Sequence, residues 1–133
     1  TYYSALGASD EKMLLARAIQ MFMPGKPQVW YLDLFAGKND HEAVQRAGES
    51  GHKEINRTNL STDQIAEGLK KDVVQKQLAL IRMRNTHKAF SEGAEVAISG
   101  GEKSLEIRWE YNSAFVTLYV NFESGTYTIV ESR

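Results

Sequence analysis

The segment Ser104-Leu-Glu-Ile-Arg-Trp-Glu-Tyr-Asn-Ser-Ala-Phe-Val-Thr-Leu-Tyr-Val-Asn-Phe122 decides the fold of the C-terminal part of the chain. Apolar and polar residues alternate in it, which is typical of strands with one buried face. Turn signals stand at Asn112-Ser113 within it and at Gly100-Gly101 and Ser124-Gly125 on either side. We therefore expect four antiparallel strands in a meander, over residues 94–98, 104–111, 114–122 and 126–132.

The N-terminal part begins with a helical pattern. Ser9 is a suitable N-cap, and Asp10 and Glu11 place negative charge at the first turn, where the helix dipole favours it. Apolar residues then recur around most of the helix circumference, which indicates a largely buried helix. Pro24 and Gly25 are expected to end it.

The next run, Gln28-Val-Trp-Tyr-Leu-Asp-Leu-Phe35, is mostly apolar without alternation. Such a run is typical of a strand covered on both faces, as in a parallel sheet. A helix, a short Pro/Gly turn and a buried strand form one unit of an α/β architecture. We therefore predict a buried strand over residues 28–35.

The middle of the chain combines a long irregular segment with two further helices. Residues 37–60 are rich in glycine and polar residues, and a short helix over residues 41–47 would shorten this loop. Ser61-Thr-Asp-Gln64 matches a capping box and starts a helix to about Leu69. A longer helix is expected over residues 72–85.

Two architectures are open for the buried strand, because a lone strand needs neighbours to pair with. Residues 1–90 can be one edge of a larger α/β domain whose other strands lie outside this sequence. The strand can instead join the C-terminal sheet and complete an α+β domain. Composition and spacing do not decide between these two architectures. The start at Thr1 without methionine is a separate and slight indication that the sequence is a piece of a longer protein.

Composition excludes several classes of function. The chain has 133 residues, with 16 Lys and Arg against 17 Asp and Glu, so no broad nucleic-acid footprint is expected. No cysteine is present, which excludes disulfides and thiolate chemistry. No apolar run approaches the length of a membrane span, and no signal peptide is visible, so a cytoplasmic location without membrane contact is expected. His41, His52 and His87 lack metal-ligand spacing, and neither a metal nor a cofactor is expected.

The most unusual polar stretch is Lys53-Glu-Ile-Asn-Arg57 within the long loop. The Arg57 guanidinium can give a bidentate fork to a carboxylate or to vicinal hydroxyls. A surface salt bridge is the alternative for this residue. Asp33, at the end of the predicted strand, is the acid in the position of barrel active sites, but capping of the following loop is the safer interpretation.

Several motifs, in order, resemble the C-terminal part of sucrose phosphorylases and their relatives in the α-amylase family. The resemblance covers roughly the first ninety residues, and the β segment fits the family's small C-terminal domain. The motifs are Thr1-Tyr-Tyr-Ser-Ala-Leu-Gly7, Ala16-Arg-Ala-Ile-Gln20, Pro24-Gly-Lys-Pro-Gln-Val-Trp-Tyr31, Ala36-Gly-Lys-Asn-Asp40 and Glu54-Ile-Asn-Arg57.

This resemblance implies the fold class α/β plus β: the closing part of a (β/α)8 barrel over residues 1–90, then a small antiparallel β domain over residues 91–133. It implies an enzyme that transfers an α-glucosyl group between a glucoside and inorganic phosphate with retention, using a carboxylate nucleophile and a carboxylic acid. In the family these acids lie on earlier barrel strands, so the chain alone is expected to be inactive, and no catalytic residue is assigned in it.

Substrate binding is what the resemblance implies for this chain. The Arg of the matching Ile-Asn-Arg motif holds distal hydroxyls of the glucosyl group, which assigns Arg57, with Asn56 beside it. Sucrose phosphorylases have a His and aromatic pair next, where this chain has Thr58-Asn59-Leu60. The chain resembles more closely relatives acting on sucrose 6'-phosphate or glucosylglycerate, and His52 and Lys53 would suit an anionic acceptor.

A different class of function remains as the alternative: a complete, non-catalytic α+β module that binds a partner through residues 37–60. A stand-alone module should melt cooperatively as a monomer. An isolated barrel fragment should instead expose the edges of its lone strand and associate through them, or remain partly disordered.

Overall fold

A computed structural model describes residues 1–132. The helices are α1 (Tyr2–Ala5), α2 (Asp10–Phe22), α3 (Tyr31–Leu34), α4 (His41–Ala47), α5 (Thr62–Gly68) and α6 (Asp72–Thr86), with 3-10 helices at Gly48–Asn56 and Lys88–Phe90. The strands are β1 (Glu95–Gly101), β2 (Ser104–Tyr111), β3 (Ala114–Asn121) and β4 (Thr126–Glu131). All helices thus precede the strands in the chain.

The four strands form one antiparallel sheet in the order β1-β2-β3-β4, which confirms the predicted meander. Ile107 pairs with Leu118, and Trp109 pairs with Val116, so the apolar residues of β2 and β3 share one face. These four side chains are at most 8% exposed. The alternation in the sequence therefore sets both the register and the buried face.

The turn between β1 and β2 lies at Glu102-Lys103, two residues later than the glycine pair predicted. Gly100 and Gly101 are the last residues of β1 and pair with Leu105 and Ser104. A Cβ on Gly100 would lie 2.5 Å from the backbone oxygen of Ser104. Glycine at this position thus permits close approach of the strands rather than forming the turn.

The predicted buried strand over residues 28–35 is wrong. The backbone at Trp30 is extended, but Tyr31–Leu34 is a helical turn, α3. A strand needs a neighbouring strand, and within residues 1–132 the four strands β1–β4 pair only with one another. The apolar run instead closes local bonds, from Leu34 N to Trp30 O at 3.1 Å and from Phe35 N to Tyr31 O at 3.2 Å. The alternative in which this segment joins the C-terminal sheet is wrong for the same reason.

The helical predictions are confirmed. Helix α2 begins at Asp10 and ends at Phe22, two residues before Pro24. Helix α5 has the complete capping box between Ser61 and Gln64, in which the side chain of each residue accepts a hydrogen bond from the backbone N–H of the other. Local signals suffice for these helices because caps and breakers act on the nearest turn.

The chain divides into two compact units. The first comprises Thr1–Met13 and Gln28–Lys76, and the second comprises Leu14–Pro27 and the residues from Gln77 onward. Over residues 1–132, the helices are too short or too polar to cross a membrane.

An aromatic cluster organises the second unit. The indole Nε1 of Trp109 donates a buried 2.6 Å hydrogen bond to the backbone oxygen of Phe22. Phe90 packs edge-on against both rings, with centroids 5.4 Å from Phe22 and 5.3 Å from Trp109. The Arg84 guanidinium lies 4.6 Å from the Phe90 centroid and 4.4 Å from that of Trp109, and burial lowers its pKa. Cation–π contacts of a desolvated guanidinium stabilise such a cluster.

We predict that Trp109→Phe lowers the free energy of unfolding by about 1 to 3 kcal/mol, because the Phe22 carbonyl loses a buried donor. Urea denaturation measures this loss. Tyr119→Phe, at a 44% exposed site on the same sheet, is the control and should have little effect. Equal effects of the two substitutions would contradict the role of the buried hydrogen bond.

Candidate functional site

The long loop predicted over residues 37–60 is mostly helical. The predicted short helix is confirmed as α4, with the Asp40 side chain accepting from Ala43 N at 2.9 Å as its N-cap. The 3-10 helix Gly48–Asn56 follows directly. Gly51 is buried there. A Cβ at this position would lie 2.7 Å from the backbone oxygen of Val44, so only glycine fits without a shift of the backbone. The candidate residues therefore stand on a folded segment.

Residues 52–57, which we call the Arg57 segment, contain all four candidate substrate-binding residues. His52, Lys53 and Asn56 lie on the 3-10 helix and Arg57 is its C-cap. All four are exposed. In a 3-10 helix side chains at i and i+3 align, which places Lys53 and Asn56 in one row.

Arg57 forms the surface ion pair that the sequence left open as its alternative role. Its Nη1 lies 3.4 Å from Glu54 Oε1, and the two side chains are 56% and 42% exposed. Exposed pairs of this kind contribute at most about 1 kcal/mol. The guanidinium is therefore accessible, with donors that can still fork to vicinal hydroxyls or a carboxylate.

Three hydrogen bonds from distant parts of the first unit reach the Arg57 segment and its next residue. Asp40 N donates to Ile55 O at 2.9 Å. Trp30 Nε1 donates to Asn56 O at 3.1 Å, and the Tyr31 hydroxyl donates to Thr58 O. The last two donors lie in the run that was predicted to be a strand. Nothing in the sequence indicated these contacts beyond the presence of two aromatic residues that carry a donor.

Asp33 binds the first amides of α1, whose N-cap is Thr1, and not the following loop that was expected. Its Oδ1 accepts from Tyr2 N at 2.7 Å and from Tyr3 N at 3.3 Å, at the start of α1. These two hydrogen bonds therefore join Asp33 to the N-terminal residues rather than to the loop that follows it. This position uses the carboxylate as a structural acceptor.

A second carboxylate near α1, that of Asp10, affects the pKa of Tyr3. The Tyr3 hydroxyl donates to Asp10 Oδ1 at 2.8 Å. This hydrogen bond, together with burial and the negative charge of Asp10, raises the pKa of Tyr3. Neutral Tyr3 is thus the form that stabilises this contact.

Metal-ion chemistry has no cluster to support it in the described part of the chain. Residues 1–132 contain no group of three or more His, Asp or Glu side chains placed to hold an ion. The cationic and amide groups of the Arg57 segment are suited instead to hydroxyl, phosphate or carboxylate oxygens.

Comparison with known proteins identifies relatives over the whole chain. A sucrose 6(F)-phosphate phosphorylase of Ilumatobacter coccineus is 50% identical over 133 residues, covering 100% of this chain and 25% of that protein. A sucrose phosphorylase of Agrobacterium vitis is 42% identical over 132 residues, covering 99% of this chain and 26% of that protein. No family model matches the chain.

A solved structure agrees with these relatives. The crystal structure of sucrose 6F-phosphate phosphorylase from Thermoanaerobacter thermosaccharolyticum matches 100% of this chain and 26% of its own, with a TM-score of 0.92 and 42% identity. The chain thus spans about a quarter of the length of the curated relatives it matches, and it corresponds to a C-terminal portion of them. These findings confirm the resemblance drawn from the motifs and the predicted fold class.

Proposed function

We propose, from the match of the whole chain to the C-terminal portion of sucrose phosphorylases, that it forms part of a retaining glycoside phosphorylase. This enzyme would transfer an α-glucosyl group between a sucrose-like glucoside and inorganic phosphate. In this proposal residues 1–90 close the catalytic barrel and residues 91–133 form the antiparallel β domain. The observation that carries the proposal is the 50% identity along the full 133 residues.

The proposed role of the chain is to bind the transferred sugar rather than to supply the acids. Retaining transfer needs a carboxylate nucleophile and a carboxylic acid about 5 Å apart. We place both in earlier parts of the enzyme, as the family resemblance implies. Asp33 is engaged with the amides of α1, and Glu54 is paired with Arg57, which supports this assignment.

Arg57 would hold the distal hydroxyls of the glucosyl group through its guanidinium fork. Support comes from its exposure and from the weak ion pair with Glu54, which substrate hydroxyls can replace at small cost. Asn56 adds an amide that can donate and accept beside it.

For the acceptor, we propose a phosphorylated or otherwise anionic sugar. His52 and Lys53 are exposed on the same 3-10 helix as Asn56, and charge-assisted bonds to phosphate are strong. The name of the Ilumatobacter coccineus relative, sucrose 6(F)-phosphate phosphorylase, agrees with this choice. A cytoplasmic location would follow from a substrate that is phosphorylated inside cells.

The 133-residue chain by itself is expected to release no glucose 1-phosphate from sucrose, sucrose 6'-phosphate or glucosylglycerate in the presence of inorganic phosphate. The physical reason is the absence of a nucleophile and acid pair at the Arg57 segment. The longer protein, expressed with the residues encoded upstream of Thr1, is the positive control. Turnover by the short chain would overturn the proposal.

In the longer protein, we expect Arg57→Ala to lower kcat/KM roughly 30- to 150-fold, because a charged hydrogen bond to substrate is worth about 2 to 3 kcal/mol. Steady-state phosphorolysis measures the change. Arg46→Ala is the matched control, since Arg46 is 67% exposed and paired with Asp40 and Glu42. An unchanged kcat/KM for Arg57→Ala would remove this residue from the substrate site.

Lys53→Ala should change specificity rather than overall activity. We expect kcat/KM for sucrose 6'-phosphate to fall roughly 10- to 100-fold, since one charge-assisted contact is lost, and that for sucrose to stay nearly constant. Lys70→Ala, at an exposed lysine paired with Glu67, is the control. A parallel fall for both substrates would contradict an acceptor-binding role.

A further inference from the structure

Two consecutive aromatic residues hold the backbone on both sides of Arg57. Trp30 Nε1 donates to the carbonyl of Asn56, the residue before Arg57, at 3.1 Å. The Tyr31 hydroxyl donates to the carbonyl of Thr58, the residue after it. The bonded pairs are 26 and 27 residues apart in sequence, so these are tertiary contacts rather than turn geometry.

The two side chains support each other in this arrangement. Their ring centroids are 5.2 Å apart with planes inclined at 62°, the edge-to-face geometry that aromatic pairs prefer. Each ring is also stiff, with only two side-chain torsions to restrain. The pair can therefore act as one rigid clamp.

The base of the clamp is anchored in the first unit. Tyr31 is the first residue of α3, and the next residue, Leu32, is 1% exposed. Asp33 ties the same helix to the amides of Tyr2 and Tyr3. A donor mounted on such a base can fix the position of an exposed segment.

Arg57, which lies between the carbonyls of Asn56 and Thr58, needs this support. The Arg57 side chain is 56% exposed, and its ion pair with Glu54 lies within its own turn, so it cannot orient the turn as a whole. A displacement of about 1 Å of a substrate-holding group is enough to cost a large factor in rate.

We propose that Trp30 and Tyr31 are positioning residues that act on the transferred sugar through Arg57. This inference rests on the proposed function, because it takes Arg57 to hold the glucosyl group. The indole N–H fixes the peptide unit that joins Asn56 to Arg57, and the phenolic hydroxyl fixes the unit that follows Thr58. The backbone is thus restrained on both sides of Arg57, so its guanidinium is held ready before substrate arrives.

The test is a double-substitution cycle in the longer enzyme. Tyr31→Phe and Trp30→Phe each remove a donor and keep an aromatic ring, and each is made in the native and in the Arg57→Ala background. Tyr119→Phe, at an exposed tyrosine of the sheet, is the control. Readouts are kcat and KM for phosphorolysis, the thermal midpoint, and hydrogen exchange of the peptide spanning residues 52–58.

We expect each substitution to lower kcat/KM roughly fivefold in the native background, the equivalent of one neutral hydrogen bond. In the Arg57→Ala background the same substitutions should have almost no effect. Amide exchange over residues 52–58 should become faster, including that of the Arg57 amide, which donates to Glu54 O.

Two results would overturn the clamp while leaving the proposed function intact. Equal losses in both backgrounds mean that the aromatic residues act on general stability rather than through Arg57. No loss in the native background, where Arg57→Ala itself is harmful, means that Arg57 needs no positioning. If Arg57→Ala is itself without effect, the sugar-binding role fails first, and the clamp fails with it.

Discussion

The need of buried backbone groups for hydrogen-bond partners shapes this chain more than any single side chain. Between Ser104 and Asn121 the chain meets this need by hairpin pairing, which antiparallel strands joined by short turns can complete locally. Residues 31–34 meet it within themselves, as one helical turn. The less apolar of the two segments thus forms the strands and the more apolar one forms a helical turn, because only the first has neighbouring strands in the described chain.

That helical turn has consequences for the Arg57 segment. A strand would have sent Trp30 and Tyr31 to opposite faces. In the observed geometry both side chains donate to the same stretch of backbone, on either side of Arg57. Asp33, from the same turn, binds the first amides of α1. One short element therefore connects the N-terminal residues with the candidate substrate site.

The weak ion pair of Arg57 suits a guanidinium that exchanges Glu54 for substrate hydroxyls, as we propose. The bond between Arg57 and Glu54 is long, at 3.4 Å, and both side chains are partly in solvent. The guanidinium of Arg84 has the opposite environment, packed over the rings of Phe90 and Trp109, where burial lowers its pKa. The same residue type thus serves stability where it is desolvated, and recognition, as we propose, where it is exposed.

The sequence by itself determined the elements whose signals are local. Caps, prolines and period-2 alternation act within one turn or one hairpin, so α2, α5, the short α4 and the four-stranded meander could all be predicted. The ordered motifs also identified the family resemblance and the candidate residues His52, Lys53, Asn56 and Arg57. Tertiary structure alone decided that residues 31–34 are helical, that Asp33 binds the first amides of α1, and that Trp30 and Tyr31 hold the backbone around Arg57. These features depend on which distant groups are present to pair, and an apolar run has the same composition whether or not a neighbouring strand exists.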